Sequence, residues 1–374
     1  MKALLETFNN MDDESKKKIK IFGIGFIVII ALIIIISIIV GIINRKTSYE
    51  NMEKIMEEAA VKYYENNLGQ LPTADVKTTI VSAQTLVEQK YMKEISKYTK
   101  DESCSGNVMV TYRDGEYDYQ AYLMCNSFNT TLLVDEIKKN NPVVASGEGL
   151  YNESGVFRFR GEHVNNYLKI DKEIFRIIKI DNENKIYITP NTMDDMNDDL
   201  HIYWDDRYNS EEDSSCGIND YTVSRANESL DKLYDSLSNN LKQNTVNYNL
   251  CINKRNELDI INTGDIECSK KLENKKIGLL PLYEYIKGSI ATLCVSANSK
   301  ECKNYNYLVM EDLSWWTITA DSSNSYHIYY VTGSGEIDKD RGDTKRIARY
   351  VVALKDNTLF KSGKGTFEEP YEIR

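Results

Sequence analysis

Seven cysteines, Cys104, Cys125, Cys216, Cys251, Cys268, Cys294 and Cys302, carry the most chemistry in this sequence. In an oxidising compartment such a set reads as a disulfide framework. The three histidines, His163, His201 and His327, are far apart and show no H-x-x-x-H or H-x-H spacing, so they mark no metal centre. Neither G-x-S-x-G nor a P-loop occurs. Asp194, Asp195, Asn197, Asp198 and Asp199, with Asp205 and Asp206 nearby, are hard-oxygen candidates for calcium, the one cofactor the sequence suggests. The same run also reads as a solvated loop. Residues 338–343 hold three aspartates, but Gly342 is out of register with D-x-D-x-D-G, and the Arg341-Gly342-Asp343 tripeptide is too short to carry an argument. Trp204, Trp315 and Trp316 are ligand-binding candidates that could stack on a sugar or peptide. Adjacent residues on a strand face opposite ways, so one of Trp315 and Trp316 is expected in the core and the other exposed.

The elements that position these residues begin with residues 21–43, an uncharged run in which thirteen of twenty-three residues are isoleucine. As a helix it would cover about 34 Å, enough to cross a bilayer core of about 30 Å. Its eighteen Ile, Val, Leu and Phe residues favour insertion by roughly 5 to 11 kcal/mol. The run ends in Asn44-Arg45-Lys46 without a small-residue cleavage site, which predicts a retained anchor in contact with membrane lipid. Lys2, Lys16, Lys17, Lys18 and Lys20 precede it and only Arg45, Lys46 and Lys54 follow closely, so residues 1–20 are expected inside and the rest outside. The cysteines all fall on that outer side. Residues 45–374 contain 41 Lys and Arg against 53 Asp and Glu, a formal charge of −12 that disfavours nucleic acid as a partner.

Two modules are expected beyond the anchor. Residues 45–130 begin with Met52, Ile55, Met56, Ala59, Ala60, Tyr63 and Tyr64 on one helical face. A second helical pattern runs through Ile80, Ala83, Val87 and Tyr91. A hairpin follows: Val108, Val110 and Tyr112 alternate before Asp114-Gly115, and Tyr117, Tyr119, Ala121 and Leu123 alternate after it. With those two residues as the loop, paired positions sum to 229 and Cys104 faces Cys125, within disulfide reach. Residues 131–154, with Asn140-Asn141-Pro142 and Ser146-Gly147-Glu148-Gly149, read as a linker. Beyond it, residues 156–160, 174–180, 185–189, 315–319, 326–331 and 349–354 read as strands and residues 224–243 and 281–290 as helices, an α+β pattern.

The first module, a long helix leaving the membrane and then a small disulfide-bonded antiparallel sheet, resembles type IV pilins and pseudopilins in layout. It departs from them at the processing signal: after Gly25-Phe26 the fifth residue is Ile30, where a pilin has Glu. That departure argues against pilus assembly and leaves a pilin-like membrane-proximal module.

In the second module, Gly155-Val156-Phe157-Arg158-Phe159-Arg160-Gly161 with Asn165-Asn166-Tyr167, Ile277-Gly278-Leu279-Leu280 with Tyr283-Glu284-Tyr285-Ile286, Trp315-Trp316, residues 349–354 and the closing Gly363-Lys364-Gly365-Thr366-Phe367-Glu368-Glu369-Pro370-Tyr371 occur in order. Over residues 155–374 they resemble a domain of Gram-positive, low-GC bacterial surface proteins, itself similar to the formylglycine-generating-enzyme branch of the C-type-lectin-like fold. The resemblance implies a lectin-like domain; its enzymatic side would require two close cysteines that bind copper. Cys294 and Cys302, the nearest candidates, have seven residues between them in a polar segment and read better as a loop-closing disulfide. Cys251 with Cys268 is the neighbour-in-sequence pairing, which leaves Cys216 unpaired or bonded between chains. The expectation is a non-enzymatic, single-pass surface protein that binds an extracellular protein or glycan. A membrane-tethered oxidase and a pilus or secretion component are the rival readings.

Overall fold

The computed structural model describes residues 47–99, 101, 103–113, 115–193, 198–260 and 264–374. The expected inner tail and anchor, residues 1–20 and 21–43, lie outside them. No helix among the described residues is long and apolar enough to cross a membrane. The chain is α+β and divides into two compact units, Met1–Thr130 and Thr131–Arg374.

In the first unit, α1 (Tyr49–Glu65) starts where the Ser48 hydroxyl accepts the Asn51 N–H at 3.2 Å, satisfying one of the free donors of the first turn. Met52, Met56, Ala59, Ala60, Tyr63 and Tyr64 form its buried face; Ile55 is only half-buried. They pack on a three-stranded antiparallel sheet of β1 (Thr78–Ser82), β2 (Ser105–Arg113) and β3 (Glu116–Met124), in the order β1-β2-β3. The hairpin register pairs Ser105 with Met124 and Arg113 with Glu116, every pair summing to 229, and Cys104 is bonded to Cys125. Asp114 at the tip lies outside the described residues. The expected second helix is shorter than its pattern. Thr78-Thr79-Ile80-Val81 is a run of β-branched residues and forms β1, leaving Ile80 exposed, and only α2 (Ala83–Glu88), capped by Ser82, is helical. A buried acid intrudes on the apolar face of α1: the Glu53 carboxylate accepts the Thr130 hydroxyl.

In the second unit, residues 131–154 are not a linker. Helix α3 (Leu133–Asn140) buries Leu133, Val134 and Ile137 in the main core. Then come β4 (Gly149–Glu153), β5 (Val156–Arg160), β6 (Tyr167–Ile170), β7 (Glu173–Ile180), β8 (Ile186–Pro190) and β9 (His201–Tyr203). Helices α4 (Arg225–Ser236) and α5 (Asn239–Asn244) precede β10 (Thr245–Val246) and β11 (Tyr248–Cys251); α6 (Asp265–Cys268) leads to β12 (Lys271–Lys275) and β13 (Gly278–Leu279), and α7 (Leu282–Gly288) follows. The chain closes with β14 (Trp315–Ala320), β15 (His327–Val331), β16 (Ile337–Arg341), β17 (Lys345–Ile347), β18 (Tyr350–Leu354), β19 (Phe360–Ser362) and β20 (Tyr371–Ile373).

The larger sheet runs β10-β18-β8-β7-β6-β20-β19, with β13 on β18 and the β4-β5 hairpin on β7. A five-stranded sheet, β16-β15-β14-β17-β9, lies in the same core cluster. Its strand β14 has sheet neighbours on both sides and is buried along all six residues. That is why Trp315 and Trp316 are both fully buried, contrary to the expectation that one is exposed. Alternation separates faces; it does not say that either face is wet. Disulfides Cys251–Cys268 and Cys294–Cys302 close two loops of this unit, and Cys216 is free and buried.

Candidate functional site

The ligand candidates named by the sequence do not make a site. Trp204 and Trp316 donate their indole N–H groups to the carbonyls of Thr317 (3.0 Å) and Ile202 (3.3 Å), and with Trp315 they offer no surface on which a sugar could stack. Of the calcium candidates, Asp194, Asp195 and the Asp198 side chain lie outside the described residues, and Asp199 is exposed. Asp205 is fully buried, and its oxygens already take the Arg207 guanidinium at 2.8 and 2.9 Å and the Ile218 N–H at 2.8 Å. Arg341 and Asp343 pair with each other at 2.8 Å. Among the described residues one group of three potential metal ligands gathers, Asp101 with Cys104 and Cys125, and its two sulfurs are bonded to one another. Cys294 and Cys302 are likewise bonded, at 2.01 Å. Burial pushes the Cys216 thiol up, away from the reactive thiolate.

The structure instead opens a cleft of about 710 Å³ in the second unit. One wall is the open end of the β7/β8 hairpin, away from its turn. Phe175 pairs with Pro190, so Lys172, Glu173 and Ile174 meet Pro190, Asn191 and Met193 at that edge. The Asp181 carboxylate sets the hairpin turn by accepting the N–H groups of Glu183 (2.9 Å) and Lys185 (3.0 Å).

The opposite wall is the end of α4. Its N-cap Ser224 accepts the Asn227 N–H at 3.2 Å, and Ala226, Leu230 and Tyr234 face the core. Leu233, Ser236 and Leu237 are left for the cleft. Tyr350 enters from the start of β18, where the Thr189 hydroxyl donates to its carbonyl at 2.8 Å.

Phe367 closes the rim. It is 61% exposed and meets the Tyr167 ring edge-on with centroids 5.5 Å apart. The loop carrying it is fixed by the N–H groups of Lys364 and Gly365 on the Glu369 carbonyl (2.8 and 3.0 Å) and of Tyr167 on the Gly365 carbonyl (2.9 Å). Its glycines are obligatory. Gly363 has φ +103° and a Cβ there would lie 2.0 Å from the Pro370 oxygen, while one on Gly365 would lie 2.3 Å from the Tyr371 ring.

The cleft is apolar in its walls and polar at a few points, the usual composition of a small-ligand site. Glu173 is its acid: partial desolvation and then the Asp171 carboxylate push its pKa up. Tyr350 is pushed up as well, by burial first and by Glu173 second. Most of this lining has no signature in the sequence, because it is drawn from residue 172 to residue 367 by tertiary packing. The closing glycine motif was the one local signal.

Comparisons of this chain with protein-family models, with curated proteins and with solved structures returned no match.

Proposed function

We propose that this chain is a membrane-anchored extracellular binding protein whose second unit captures its ligand in the cleft between the β7/β8 edge and α4. The cleft carries the reading: its volume of about 710 Å³ is within the range of ligand sites, its walls are leucine, isoleucine, methionine and aromatic side chains, and Lys172 and Glu173 offer both charges. Residues 21–43 are the proposed anchor, residues 45–130 a membrane-proximal module and the second unit, with residues 155–374 and the added helix α3, a lectin-like domain. Three bonded cysteine pairs support an oxidising compartment. The helix packed on a three-stranded disulfide-bonded sheet supports a pilin-like layout for the first module.

The ligand is an extracellular protein or glycan, found by probing glycan and peptide arrays with and without Ca²⁺. Ser236→Arg, at an exposed position of the cleft lining, places a long cation across the cleft and is expected to abolish the wild-type array signal. Binding retained by Ser236→Arg would move the site elsewhere.

A further inference from the structure

Among the described residues, the core of the second unit contains two guanidinium groups that meet no carboxylate. Arg349, immediately before β18, is fully buried. It donates through Nη1 to the Leu308 carbonyl and lies 4.9 Å from the Trp315 ring centre. Arg176, on β7, is 4% exposed and donates through Nε to the Asn166 side-chain oxygen at 2.6 Å. Its guanidinium lies between the rings of Tyr167 (3.7 Å) and Tyr307 (5.0 Å). Both charges act on the Tyr307 hydroxyl and on each other. Among the described residues, three buried donors of these side chains have no hydrogen-bond partner: Arg349 Nε, Arg176 Nη2 and the Trp315 indole N–H.

The charges that could balance them are committed elsewhere. Glu284 is the carboxylate whose charge reaches Tyr307, and it is shared by Arg158 and Lys179. The Tyr167 hydroxyl interacts with the Arg176 guanidinium but is a phenol, not a carboxylate, and burial holds Tyr285 and Tyr307 protonated. A fully buried arginine is almost always paired, because leaving its charge uncompensated in a low dielectric is costly. Here, among the described residues, two positive charges meet no carboxylate and three N–H donors are left unsatisfied. A water molecule would take two of the donors but cancel neither charge.

We propose that this cluster is a buried binding site for a small monovalent anion of the halide class, held by Arg349 and Arg176 with the Trp315 N–H as a neutral donor. Chloride fits the chemistry better than phosphate or sulfate, since a monovalent ion leaves water at lower cost and matches a site built from only a few donors.

All three tryptophans belong to this unit, so their fluorescence follows its thermal unfolding. The test compares the protein in sodium chloride, sodium bromide and sodium gluconate at one ionic strength, gluconate being too large to enter. Chloride and bromide are expected to raise the midpoint by about 3–5 °C for each tenfold increase above the dissociation constant, and gluconate to leave it unchanged. Equal midpoints in all three salts overturn the proposal. Arg349→Met is expected to lose the halide response, becoming less stable than the parent in chloride and no less stable in gluconate. A halide response that survives in Arg349→Met overturns the assignment. Should that variant fail to fold, bromide anomalous scattering from crystals of the wild-type protein decides: a peak in contact with both guanidiniums supports the site, and its absence there rejects it.

Discussion

Glu284 offers the most exacting test of how the second unit is held together. It sits on α7 and is 4% exposed. Its carboxylate takes Arg158 Nε at 2.9 Å and Lys179 Nζ at 2.5 Å, while Arg158 also reaches Glu153 at 2.9 Å. Burial by itself would raise the Glu284 pKa; the Arg158 and Lys179 charges overcome it and hold the group down, from 4.5 to about 2. A folded-state pKa below the unfolded one stabilises the fold above the unfolded value, and that contribution is lost as pH falls from about 4.5 toward 2. The shift corresponds to roughly 3 kcal/mol, of which about 2 kcal/mol is gone by pH 3. Glu284→Gln keeps the shape and removes the charge, leaving Arg158 with only the half-buried Glu153, so the expected cost at pH 7 is about 3–5 kcal/mol. Urea unfolding followed by tryptophan fluorescence reads this unit directly. The gap between wild type and variant should narrow by about 2 kcal/mol between pH 7 and pH 3. A gap at pH 7 below about 1 kcal/mol, the size of a surface pair, or one that does not change with pH, would refute the reasoning.

Two further outcomes are expected. Replacing both Cys104 and Cys125 by alanine opens a loop of 21 residues and should weaken the first unit by about 3 kcal/mol, seen as faster proteolysis within residues 47–130 while the tryptophan-reported transition stays put; unchanged protease resistance would count against a stabilising role for the bridge. Thiol titration should find no reactive cysteine in the native protein and one, Cys216, in denaturant, and a native count of two or more would show that Cys294 and Cys302 are available for redox chemistry.

The parts of this fold that were legible in the sequence are those set by near neighbours. A two-residue turn and strict alternation fix a register, and the register brings Cys104 to Cys125 without further information. Strands β7 and β8 were visible as the two apolar runs 174–180 and 185–189. What stayed hidden depends on which element lies beside which. Trp315 and Trp316 alternate like any half-buried pair, but β14 lies inside its sheet and loses both faces to the core. Leu133, Val134 and Ile137 have helical spacing, yet the Asn, Gly and Pro residues after them dominate the local reading. The cleft is a meeting of residues up to 195 positions apart, from Lys172 to Phe367, and leaves no mark on local spacing. Arg176 and Arg349 sit in ordinary strand sequences, where nothing distinguishes an arginine bound for the interior from one bound for water.

Strand β20 lies between β6, to which it runs parallel, and β19, which precedes it in sequence. Tyr371 is fully buried there, and its hydroxyl accepts the Asn141 amide N–H at 3.0 Å. Residues 371–373 therefore join two parts of the large sheet, and whenever they detach, β6 and β19 each expose an unpaired edge of the kind that invites chaperones and neighbouring chains.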